Sequence, residues 1–187
     1  LSIGRNAFLE NTSITAVSIP GNVKVLESGA FYSCSALTSV IFEEGTEKIG
    51  TQAFQSCTAL TEVHFPESLT FIDTKAFKGC TSLAMKADDI FADLPNLTEL
   101  YNEAFSDTAV YGVLTPPAGI TYGKYTFSNT KITKLDLSNI ADQTGMDGIA
   151  MDCSLLTEVV FHPKTTIIAG QIAANTKVTS VFIPWTV

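Results

Sequence analysis

The chain has 187 residues, 45% of them hydrophobic and 16% charged, with a formal net charge of −8. This composition supplies a core and excludes a disordered polymer, and the acidic balance weighs against a phosphate-backbone partner, so no nucleic acid is expected. No apolar run reaches the roughly 18 residues of a membrane span, so no direct membrane insertion of this segment is expected. No charged-then-apolar leader opens the chain. It starts inside a repeat, "LSIGRNAF", and is read as part of something longer.

Phenylalanine sets the register. Phe8, Phe31, Phe54 and Phe77 recur every 23 residues; Phe105 follows after 28 and Phe127 after 22. Ala150 and Ala173 continue the series at 23, preceded by Ile149 and Ile172. Eight copies at this period predict a stack of coils that bury one another's apolar faces.

In chain order, seven of the eight copies begin with an apolar residue five positions before the phenylalanine or its equivalent: Ile3, Leu26, Ile49, Ile72, Leu100, Tyr122 and Ile168. A short extended segment is expected there, with Gly4, Gly50 and Gly123 permitting a turn. The "AFxxC" step that follows is read as one helical turn or a tight bend. Next comes "LTxVxF", as in Leu37, Val40, Phe42 and Leu60, Val63, Phe65, repeated at Leu156, Val159, Phe161. Its alternation predicts a strand with one buried face. Pro20, Pro66 and Pro184 close such strands, because proline lacks the donor a ladder requires. The insertion at about 84–96 breaks the pattern: Lys86 and Asp88 fall where buried residues are due, and Asp89, Asp93 and Pro95 predict a protruding loop with one helical turn. The fold expected is one β-rich solenoid domain over 1–187, about eight right-handed coils with sparse helix, spanning roughly 40 Å at about 4.8 Å per strand.

"IGxxAFxxCxxLTxVxFP" resembles the BspA-type leucine-rich repeat, and the resemblance covers essentially the whole chain. It implies a curved solenoid with strands lining one face. It also implies a bacterial surface or secreted protein, hence an extracellular or cell-surface location, with adhesion or host-protein binding in some members. Fold alone names no ligand.

Cys34, Cys57, Cys80 and Cys153 share one repeat position, where Asn11, Asp107, Asn129 and Asn175 are read as the equivalents in the other copies. The position asks for a small buried side chain that hydrogen-bonds nearby backbone; leucine-rich repeats are known for such an Asn/Cys ladder. Cysteine spacings of 23, 23 and 73 match no metal signature, and stacked cysteines point in parallel, so four free thiols are expected. Asp88, Asp89 and Asp93 lack the closing glutamate of a calcium loop. No phosphate-binding, zinc-protease or nucleophile-elbow motif occurs, and His64 and His162 sit away from the cysteines. No catalysis, metal or cofactor is expected. The threonines that begin the strands, Thr38 among them, are assigned an inward, structural place by parity.

Outward strand positions are the candidate site: Ala16 and Ser18, Ser39 and Ile41, Glu62 and His64, Lys134 and Asp136, Glu158 and Val160, Ser180 and Phe182. The partner-binding residues expected are Ile41, Glu62, His64, Lys134, Asp136, Glu158, Val160 and Phe182. Apolar side chains there, next to charges, point to a protein partner; the alternative is a rigid spacer inside a larger surface protein.

Overall fold

In the computed structural model, which describes residues 1–183, the chain winds through coils of about 23 residues with almost no helix. Strands β1 (Ser2–Ile3), β2 (Ala16–Ile19), β3 (Val25–Leu26), β4 (Ser39–Phe42), β5 (Lys48–Ile49), β6 (Glu62–His64) and β7 (Phe71–Ile72) alternate between two walls. Helix α1 (Ala87–Ala92) follows. Then come β8 (Glu99–Leu100), β9 (Tyr111–Leu114), β10 (Thr121–Tyr122), β11 (Lys131–Leu137), β12 (Glu158–Phe161) and β13 (Ser180–Phe182). Every pairing is parallel, as it must be when each coil lays its strand on the equivalent strand of the last.

One wall is a continuous six-stranded sheet, β1-β3-β5-β7-β8-β10. The other is split into β2-β4-β6 and β13-β12-β11-β9. The split is the insertion. After the buried Leu83 the next inward positions would be 86 and 88, but lysine and aspartate cannot be sealed there unpaired. The chain turns into α1 instead, burying Ala87 and Ile90 and resting on β9, while Lys86 keeps a single bridge to Tyr111. The segment is thus packed, not protruding. The Asp88 carboxylate anchors the helix by accepting the Thr115 amide N–H at 2.9 Å.

Between the walls run columns of side chains. The repeat phenylalanines form a ring stack: Phe8, Phe31, Phe54, Phe77, Phe105 and Phe127 have successive centroids 5.0, 5.3, 5.3, 5.2 and 5.5 Å apart. From Phe31 to Phe127 they are fully buried. Phe91 of α1 meets Phe127 edge-on at 6.1 Å.

The "AFxxC" step contains no helix. In the second coil the amides of Gly29, Phe31 and Ser33 donate to Thr51, Ala53 and Gln55 of the next coil at 2.9, 2.8 and 2.8 Å. The amides between them, Ala30, Tyr32 and Cys34, donate three residues back within their own coil. Two residues per coil, two before and two after the phenylalanine or its equivalent, take positive φ to make this alternation: Asn6 and Glu10, Gln52 and Ser56, Glu103 and Asp107, among others. Left-handed backbone costs an ordinary residue roughly 1–2 kcal/mol, and bonds between coils offset it. Gly50 and Gly123 do not have positive φ. What glycine permits there is close approach: a Cβ on Gly50 would lie 2.7 Å from the Leu26 carbonyl oxygen.

The six-stranded wall ends at β10 and does not continue into the last two coils. Ile168, expected in an inward strand, is in none and is 45% exposed. Pro184 lies outside the described residues.

Candidate strand-face site

The outward side chains of the split wall stand in register. In the first sheet Ser18 pairs with Ile41 and Ile41 with His64; Ala16, Ser39 and Glu62 make the parallel row. In the second, Lys134 pairs with Glu158 and Glu158 with Ser180, while Asp136 pairs with Val160 and Val160 with Phe182. The eight expected residues therefore fall into two groups separated by α1. Ile41 is 47% exposed between the buried Val40 and Phe42, whereas Phe182, 58% exposed, lies on β13, whose other residues are exposed as well, Val181 at 54%.

The charges are not all free. Lys134 Nζ lies 3.0 Å from Glu158 and 3.4 Å from Asp136. Its hydrogen bond to Glu158 raises the lysine above its ordinary value. Partial burial pushes the Asp136 carboxyl up, but hydrogen bonds from Ser138 and Lys134 outweigh it and hold the group below the usual carboxylate range. In the first sheet His64 Nε2 and Glu62 Oε1 are 2.7 Å apart.

Tyr111 and Val113 join the face and were not legible in the sequence. They are 42% and 38% exposed on β9, and Val113 pairs with Lys134. Gly112 (φ +87°) and a register shift between Ile132 and Lys134 make a bulge there. The shift, together with the insertion, hides the strand's alternation. A bulge re-aims side chains where it occurs.

The expected ladder of Asn11, Cys34, Cys57, Cys80, Asp107, Asn129, Cys153 and Asn175 is two columns, not one. Cys34, Cys57, Cys80 and Cys153 are buried free thiols, each three residues past its phenylalanine or equivalent. Each Sγ donates to the carbonyl of that residue in the preceding coil: Phe8, Phe31 and Phe54 at 3.1 Å, and Phe127 at 3.3 Å. Burial pushes the thiols of Cys34, Cys80 and Cys153 up. Asn11 holds the same position and accepts the Ser13 and Ile14 amides. In the remaining copies the position belongs to Thr108, Thr130 and Thr176, whose hydroxyls donate to Phe105, Phe127 and Ala173 of their own coil at 2.8, 2.8 and 2.7 Å. Asp107, Asn129 and Asn175 sit one residue earlier, with left-handed φ, and face outward. They make a surface ladder in which Asn129 donates to Asp107 at 2.8 Å and Asn175 to Asp152 at 2.9 Å.

The strand-leading threonines also depart from expectation. Thr38 is exposed, because the chain is still turning after Leu37 and alternation starts only at Ser39. Its hydroxyl donates to the Thr15 carbonyl at 2.9 Å, and Thr61 does the same to Thr38 at 3.1 Å. The row is structural, as expected, but on the outside.

Among the described residues no group of three or more His, Cys, Asp or Glu side chains is arranged to hold a metal ion, and no helix is long and apolar enough to cross a membrane. The assembled features, parallel strands stacked coil on coil in two walls over leucine and phenylalanine columns, define a leucine-rich-repeat solenoid. The chain belongs to the BspA-type leucine-rich-repeat family: the model described as "BspA type Leucine rich repeat region (6 copies)" matches residues 1–110 and 90–187. No curated protein matches. Among solved structures the chain is similar to a leucine-rich-repeat protein of T. pallidum, at 21% identity and a TM-score of 0.60, over 89% of this chain and 72% of that one. It is also similar to a leucine rich cell surface protein of Faecalibacterium prausnitzii, at 19% identity, and to a leucine-rich repeat protein of Bacteroides ovatus, at 21%. Both of these have a TM-score of 0.51, and the likeness covers 98% of this chain but only 64% of theirs. At these identities the likeness shows the fold. The repeat family is commonly one of surface proteins with binding or scaffold roles.

Proposed function

We propose that this chain is a non-catalytic, extracellular or cell-surface module that binds another protein, from host or bacterium, through the strand-lined face, in an adhesive role and without a cofactor. The observation that carries the reading is the contrast between inward and outward columns. Inward, Val40 pairs with Val63 and Leu135 with Val159. Outward, in the same strands, Ile41 pairs with His64 and Asp136 with Val160. Packing dictates the first set; nothing inside the coil requires the second. The contact would be made by Ile41, Glu62 and His64 on one side of α1. Tyr111, Val113, Lys134, Asp136, Glu158, Val160 and Phe182 would make it on the other. With a net charge of −8, a partner carrying a basic patch fits best, and salt should weaken the complex.

The test captures a partner with the whole protein and then measures its affinity for Glu62→Lys and Val160→Asp by calorimetry. Each substitution is expected to weaken binding by tenfold or more, about 1.4 kcal/mol, with a shallower salt dependence for Glu62→Lys. Unchanged affinity in both folded variants would remove the strand face and turn attention to residues 84–96. A second reading, the rigid spacer with no ligand of its own, is favoured by one observation: Lys134 spends its charge within the face on Asp136 and Glu158. A spacer yields no saturable partner at any salt concentration.

A further inference from the structure

We draw no further inference here: the strongest candidate, the cleft of about 310 Å³ between β6 and α1 lined by Glu44, His64, Phe65, Glu67 and Asp93, is an acidic cluster beside which nothing in the structure shows what it would hold.

Discussion

Phe54→Ala tests the column directly. The Phe54 ring is fully buried, with the rings of Phe31 and Phe77 each 5.3 Å away, tilted by only 1° and 7°, and Phe42 edge-on at 6.1 Å. Removing the ring leaves a void between two coils that cannot close on each other. Their spacing is held by main-chain bonds, Phe31 N–H to Ala53 and Phe54 N–H to Ala76, both 2.8 Å. Phenylalanine-to-alanine changes in cores cost about 3–5 kcal/mol, and a site that cannot collapse belongs at the upper end. We expect about 4–5 kcal/mol, a fall in Tm of about 8–20 °C for a chain of this size. Gln55→Ala is the control. Gln55 is half-buried and its side chain accepts one bond, from Gln52 at 2.8 Å, so its loss should cost less than about 1 kcal/mol. Phe8→Ala should fall between, because Phe8 has one stacked neighbour and is 40% exposed. Urea and thermal melts followed by circular dichroism give all three. Equal midpoints for the Phe54 and Gln55 variants would refute the register on which every column rests.

Other consequences can be measured on the same protein. A Cβ on Gly50 would meet the backbone of Leu26 and Glu27 at 2.7 and 3.0 Å, whereas one on Gly4 meets nothing within 4 Å. Gly50→Ala should therefore cost about 1–3 kcal/mol and Gly4→Ala almost nothing; the reverse order in a melt would overturn the assignment. The four thiols are free and buried, so Ellman's reagent should find none in the folded protein and four in denaturant, and an intact mass short of two hydrogens would contradict this. Asp147 accepts from Lys124 at 3.0 Å and from the Gly170 amide at 2.9 Å, and these bonds hold its carboxyl below the usual range. A depressed carboxylate stabilises the fold above its unfolded pKa of about 3.9, and that stability is lost as pH falls through the folded value. The Tm gap between the native chain and Asp147→Asn should be present at pH 7 and narrow as pH falls to 2; a gap unchanged at pH 2 would contradict the assignment.

The columns could be read from the sequence because each inward residue answers to a neighbour exactly one period away. Val40, Val63 and Val159 are the same residue for the same reason. Reading failed where chemistry was matched instead of position. Asp107, Asn129 and Asn175 look like ladder residues beside Cys34, but counting three from each phenylalanine or equivalent gives Thr108, Thr130 and Thr176, whose hydroxyls are the inward donors, buried at Thr108 and Thr130 and half-buried at Thr176. The left-handed residues had a signal too, in Asn6, Gly29, Gly79 and Gly148. Gln52, Lys75 and Tyr125 obscured it, since no intrinsic preference marks them for positive φ. Tyr111 and Val113 were hidden because the insertion moved the register and Gly112 interrupted the alternation.

The insertion shows how the two walls divide their tasks. Where α1 replaces a strand, β7 still pairs with β8, Phe71 with Glu99 and Ile72 with Leu100, so the six-stranded wall runs on uninterrupted. The ring stack also runs on, with Phe77 and Phe105 centred 5.2 Å apart across 28 residues. The added residues are therefore taken up wholly by the other wall. Continuity of one sheet and of the phenylalanine column is enough to keep the coils stacked, and this leaves the split wall free to change shape. A wall relieved of that constraint can accommodate a helix, a bulge at Gly112 and exposed aromatic groups at modest cost to the stack. Those are the features a protein contact would use, and they all fall on the wall with the varied outward rows.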